Sequence, residues 1–167
     1  MVFAACNSNQ KPASEADIPL AQIDSLEAAL FAESEAPADA NAGMKLIRSY
    51  AKYYQNHKSD SVAVDMLFKA GEVSMGIGQG NLAVKYFKTV GEDHKEYSKA
   101  AEALFLTGFC EETINRDTAN ARFYYEKFLE AYPDHKLAED ARFSIQNMSM
   151  SDEELIRMFE EKLKSAS

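Results

Sequence analysis

YAKYYQNHKSDSVAVDMLF, residues 50–68, and YEKFLEAYPDHKLAEDARF, residues 125–143, are two versions of one pattern, 75 residues apart. Tyr50 falls on Tyr125, Lys52 on Lys127, Ala63 on Ala138, Asp65 on Asp140 and Phe68 on Phe143. Tyr53 over Phe128 and Tyr54 over Leu129 keep apolar character. Half the interval uncovers an intermediate copy: Phe68, Phe105 and Phe143 are spaced by 37 and 38, Gly71 and Gly108 by 37, Phe87 and Tyr125 by 38. Agreement of aromatic, small and acidic positions at one period is the mark of an internal repeat.

Each unit reads as two antiparallel helices. Residues 61–76 and 82–91 form one pair, split by GIGQGN (76–81), and residues 97–114 and 119–132 form the next, split by NRDT. Residues 41–57 read as the second helix of an earlier pair whose first is 18–34, where Ile23, Leu26, Leu30 and Phe31 recur at helical spacing. Residues 136–147 open a further pair that ends in a last helix, 152–164, with Ser151 and Glu154 as a capping box. Glu153 with Arg157 and Glu160 with Lys164 add i,i+4 support to it. Gly71 and Gly108, with Ala83 and Ala121 on the partner helices, let backbones approach, and Leu67, Leu104, Phe87 and Tyr125 fill the space around them. One hairpin cannot bury its apolar face alone, so neighbours must stack in series. The expectation is an all-α solenoid of stacked antiparallel helix pairs with a C-terminal capping helix. Residues 1–17 precede the helical domain, 18–167, whose repeats run approximately over 18–57, 61–94, 97–133 and 136–165.

Composition agrees with long helices. The 167 residues are 46% hydrophobic and 27% charged, with seven Gly and four Pro, and Ala, Leu, Glu and Lys are the helix formers. The net charge is −9, with one Lys against seven Asp/Glu in residues 1–44. An acidic chain lacks the Lys/Arg surplus that nucleic acid or anionic lipid demands. No apolar run is long enough to span a bilayer. Two cysteines, Cys6 in a polar tail and Cys110 in an apolar helix, do not suggest a disulfide.

LFLTGF (104–109) followed by ANARFYYEKFLEAYPDHKLAEDA (119–141) resembles tetratricopeptide repeats. The large residue of the repeat's first helix is matched by Leu104 and its Gly by Gly108. The small residue opening its second helix is matched by Ala121, the aromatic by Tyr125 and the terminal Pro by Pro133. The preceding copy matches with Leu67, Gly71, Ala83 and Phe87, but Lys95 stands where Pro would be, and the period of 37–38 exceeds the usual ~34. The ending SDEELIRMFEEKL is similar to small tetratricopeptide lipoproteins of Gram-negative envelopes, especially of Bacteroidetes-type bacteria. The resemblance implies a right-handed solenoid, protein or peptide binding in a concave groove, and no chemistry or cofactor of its own.

In that family the positions of Phe68, Phe105 and Phe143 face the groove. These rings, with Phe109, would then floor it, edged by Asp65, Glu72, Glu102, Glu112 and Asp140, and the ligand would be a peptide with apolar anchors and some basic character. The competing expectation is that the chain's own first or last helix covers the rings, because so long an exposed aromatic stripe invites aggregation. GIGQGN lacks the strand and the Lys-Ser/Thr of a phosphate loop and sits at a helix–helix turn. His57, His94 and His135 each follow a second helix, read as solvated junctions, and no metal-ligand spacing accompanies them. Cys110 reads as a buried, inert thiol. No catalytic arrangement is discernible.

Phe3-Ala4-Ala5-Cys6 resembles a lipobox, with small residues before the cysteine that would take the lipid. Only five residues precede Cys6, too few for a signal peptide's apolar core, so a longer precursor is implied. The polar stretch 7–17 would tether the domain over roughly 18 Å if flexible. Three functions stay open: a lipid-anchored scaffold on the periplasmic side of the cell envelope, a soluble cytoplasmic adaptor, and an accessory subunit of an outer-membrane assembly complex or of an enzyme. The oligomeric state and the partner's identity are also open.

Overall fold

The computed structural model describes residues 18–31, 39–148, 150 and 152–165. Helices carry most of them: α1 (Leu20–Leu30), α2 (Ala40–Asn56), α3 (Ser61–Gly76), α4 (Gly80–Asp93), α5 (Ala100–Cys110), a π-helical turn (Glu111–Asn115), α6 (Thr118–Ala131), α7 (Ala138–Asn147) and α8 (Asp152–Ser165). No strand occurs among the described residues. Successive helices from α2 to α7 pack on one another in order, so the chain is an all-α solenoid of helix pairs.

Local sequence explains where the helices begin. Asp39, Asp60 and Asp117 are N-caps whose carboxylates accept from the backbone N–H groups of Asn41, Val62 and Asn120, each worth about 1 kcal/mol over Ala. The turns between pairs are themselves repeated. Asp60 N–H bonds to His57 O and Ala63 N–H to Asp60 O; the same two steps recur at His94–Tyr97–Ala100 and at Tyr132–His135–Ala138. Pro133 stands in the last of these turns at the place of Lys95 and Lys58. Proline suits such a turn because its φ is pre-set, but the hydrogen bonds form equally with lysine. The departure at Lys95 therefore leaves the backbone unchanged.

The helix expected over 97–114 begins at Ala100 because residues 95–99 belong to that turn, and it runs into the π-helical turn 111–115. This explains why the period changes from 37 to 38. Gly71 and Gly108 are 37 apart, whereas the left-handed residues that end the first helices, Gly78 (φ 72°) and Arg116 (φ 59°), are 38 apart. The Gln79 N–H reaches back five residues to Ser74 O, and the Asp117 N–H reaches back six to Glu111 O. One extra residue is thus accommodated in the π turn, the usual form of a one-residue insertion in a helix.

The core is aromatic and small-residue in alternation. Tyr50, Phe68, Phe87, Tyr125 and Phe128 are fully buried with Ala63, Ala83, Ala121 and Ala141. A Cβ at Gly71 would lie 2.6 Å from the Phe87 ring, and one at Gly108 3.0 Å from Tyr125. Only a missing side chain allows these rings to sit against the backbone. Gly91 does the same service to the backbone of Leu104, between one pair and the next. On α1, Ile23 is buried and Leu26 and Leu30 half-buried, but Phe31, expected in the apolar stripe, is 66% exposed just past the last turn. The helices expected to extend over 18–34 and 136–147 span Leu20–Leu30 and Ala138–Asn147.

Candidate protein-binding face

The first helices of the pairs, α3, α5 with its π-helical turn, and α7, carry the residues expected at the groove. Phe68 is 1% exposed: Phe87 meets it at 5.4 Å between ring centroids, Tyr97 at 6.2 Å, and the Lys99 ammonium lies 4.5 Å above its face. Phe105 is 9% exposed, between Tyr125 at 5.3 Å and Phe128 at 5.6 Å. These two buried rings therefore do not floor an open groove. The aromatic contacts come from the second helix of the same pair and, at Phe68, from the following turn, which folds Tyr97 back over the ring. Burial of a whole aromatic side chain stabilises by roughly 2–3 kcal/mol, which decides against leaving them open. Phe109 and Phe143 do reach the surface, each 37% exposed.

The acidic residues divide as well. Asp65 is half-buried and accepts from the Tyr97 hydroxyl at 2.7 Å; Glu112 accepts from the Tyr125 hydroxyl at 2.8 Å. Glu102 lies in the first turn of α5 and Asp140 in the first turn of α7. Asp65 and Glu102 both act on Glu72 electrostatically. Burial first, then these two neighbours, push the Glu72 carboxyl above its usual range, while Lys99 and Lys69 oppose the rise. Burial and the hydrogen bond to Asp65 raise the Tyr97 hydroxyl for the same reason.

A polar junction not foreseen from the sequence ties α1 to this face. The Glu27 carboxylate accepts from the Tyr50 hydroxyl at 2.6 Å and from the Lys69 ammonium at 2.9 Å. Burial raises the Glu27 pKa, but the two hydrogen bonds and the lysine charge outweigh it and hold the carboxyl below its ordinary value. The same contact, added to burial, drives the Tyr50 hydroxyl far up. Glu27 lies 23 residues from Tyr50 and 42 from Lys69, so no local spacing signals the trio.

The second helices carry lysines over aromatic faces. Lys85 sits 5.5 Å from the Tyr86 ring and Lys88 5.9 Å from that of Tyr124. Lys127 lies 5.9 Å from the Phe123 ring and pairs with Glu92 at 2.6 Å.

The histidines are half-buried rather than solvated, because the turns fold them against rings. His57 stacks on Tyr53 at 4.3 Å, His94 Nε2 meets the Tyr54 hydroxyl at 2.8 Å, and His135 lies edge-on to Phe128 at 5.5 Å. No group of three His, Cys, Asp or Glu among the described residues is placed to hold a metal ion. Cys110 is buried, and apolar surroundings together with Glu111 push its thiol up to about 12. No described helix is long and apolar enough to cross a membrane. Cys6, the polar stretch 7–17 and the cap Ser151 lie outside the described residues.

Stacked helix pairs with small residues at their contacts define a helical-repeat protein. Residues 102–135 match the family model of the tetratricopeptide repeat, from the first turn of α5 through the turn that follows α6. The match supports a tetratricopeptide repeat protein, and such repeats generally serve as non-enzymatic scaffolds for protein partners. No curated protein and no solved structure matches the chain.

Proposed function

We propose that this chain is a non-enzymatic scaffold that binds a peptide or protein segment along the face of α3 and α5, and that a lipid on Cys6 holds it on the periplasmic side of a cell envelope. The observation that carries the binding site is that Asp65 of α3 and Glu102 of α5 both act on Glu72, on the helices that also bring Phe109 to the surface. A partner segment with apolar anchors and basic residues complements that face. Phe3-Ala4-Ala5-Cys6 supports the anchor.

Two experiments test the two halves. A photo-crosslinking residue at Phe109, introduced in the native host, should capture a defined protein partner, and Glu102→Lys should abolish the capture. Unchanged capture by that variant would place the partner elsewhere. Palmitate label should enter the longer precursor expressed in the native host and not its Cys6→Ala variant; a precursor that stays unlabelled would leave a soluble cytoplasmic adaptor.

A further inference from the structure

The C-terminal ends of α1 and α3 stand apart over Tyr50 of α2 and enclose an open cleft of about 390 Å3, within the range of ligand pockets, roughly 300–1,000 Å3. Leu30, Phe31, Val73 and Ile77 make its walls. Its floor is tied together by Glu27, which accepts from both Tyr50 and Lys69. Three features distinguish it from an ordinary surface crevice. Phe31 presents 66% of its surface on one wall, an arrangement that loses hydrophobic free energy until something covers it. Glu72 lines the cleft, and its carboxylate makes no hydrogen bond or ion pair with a described residue. Gly76 leaves room, since a Cβ there would meet nothing within 4 Å.

The charges around the cleft select the occupant. The charged residues that line it are Glu27, Lys69 and Glu72; Asp65 and Glu102 act on Glu72 as further negative charges, opposed by Lys99 and Lys69. Lys69 is engaged by Glu27 and Lys99 lies over the Phe68 ring. The uncompensated charge is negative, and it sits beside an apolar recess.

We propose that this cleft is an anchor subsite: it takes one large aliphatic or aromatic side chain of a partner protein segment, and a Lys or Arg next to that side chain pairs with Glu72. The subsite rests on the reading that the chain binds protein segments, and it adds which part of the segment is recognised first. The apolar side chain covers Phe31 and supplies most of the affinity, as buried anchors do. The basic neighbour supplies orientation, since an unpaired carboxylate at the rim of an apolar recess gains most from a cation.

The test is selection of a phage-displayed library of random peptides, about 12 residues long (anchor, basic neighbour and flanks), against the full chain. Selected peptides are then synthesised, and their Kd values measured by fluorescence anisotropy on the native chain and four variants. Gly76→Leu fills the cleft from a position with free space, and Phe31→Ser removes a wall from an exposed site, so one of them keeps the fold if the other does not. Selected peptides should share a large apolar residue within two positions of Lys or Arg. Affinity should fall about tenfold or more in Gly76→Leu and Phe31→Ser, and severalfold in Glu72→Gln, with a weaker salt dependence. Phe109→Ser separates the two claims. Peptides that ignore Gly76→Leu and Phe31→Ser but lose affinity in Phe109→Ser overturn the subsite and leave the scaffold reading standing. A library that yields no binding peptide overturns both.

Discussion

Arg116 occupies, at φ 59°, the left-handed backbone position that Gly78 holds at φ 72° one repeat earlier. Both end a first helix, but only glycine does so without a Cβ penalty of about 1–2 kcal/mol. Arg116→Gly is therefore expected to stabilise the chain by about 0.5–1 kcal/mol and Gly78→Ala to destabilise it by about 1 kcal/mol. Urea denaturation of the two single variants checks the opposite signs.

Glycine acts differently at Gly71 and Gly108, where the ring of the partner helix takes the space. Gly71→Ala should cost about 1–3 kcal/mol through overpacking on Phe87, and Gly108→Ala less, since Tyr125 lies farther from the added carbon. Thermal melts that rank the two in the reverse order would contradict the packing described.

Phe105 and Phe109 lie one helical turn apart and should respond oppositely. Phe105→Ala removes a buried ring and is expected to cost about 3–5 kcal/mol. Phe109→Ser should leave stability within about 1 kcal/mol and act on partner binding instead. A melt together with a binding assay on each variant decides it.

The Glu27 trio makes stability depend on pH at both ends. The Glu27 carboxyl is depressed in the folded chain, so its contribution is complete above the ordinary value of 4.5 and is lost as pH falls below it. The Tyr50 hydroxyl is raised, so its contribution holds below the ordinary value of 10.0 and is lost as pH rises above it. Tyr50→Phe should cost about 1–2 kcal/mol at pH 7 and flatten the alkaline limb of a stability–pH profile. An unchanged alkaline limb would mean that the hydroxyl is not held as described.

Cys110, with its thiol pushed up to about 12, carries almost no thiolate at neutral pH. In a Cys6→Ser variant, a thiol reagent at pH 8 should label the chain only as it unfolds, with a rate that rises with urea in step with the unfolding curve. Rapid labelling of the folded chain would mean an accessible thiol.

The helix pairs were legible because their signals are local or periodic. Gly71 and Gly108, Ala83 and Ala121, and the aromatic columns repeat in register. Asp39, Asp60 and Asp117 mark helix starts by chemistry that acts over two or three residues. The proposed site was less legible. Phe68 and Phe109 are both aromatic residues on first helices, but one lies under Phe87, Tyr97 and Lys99 while the other reaches solvent. That difference depends on how a turn some thirty residues downstream folds back. The change of period was visible as a number, but its meaning was not, because an inserted residue can extend a loop as readily as a helix.

The sequence by itself determined the solenoid of helix pairs, since apolar spacing, small-residue contacts and caps all act within a helix or between neighbours in the chain. The tertiary structure alone decided which surfaces are open. Glu27 finds Lys69 across 42 residues, the π turn absorbs the extra residue after Cys110, and the ends of α1 and α3 leave a cleft above Tyr50. Burial is a property of what lies above a residue, and for Phe68 and Phe105 the rings above come from the partner helix or the turn after it, about twenty to thirty residues along the chain.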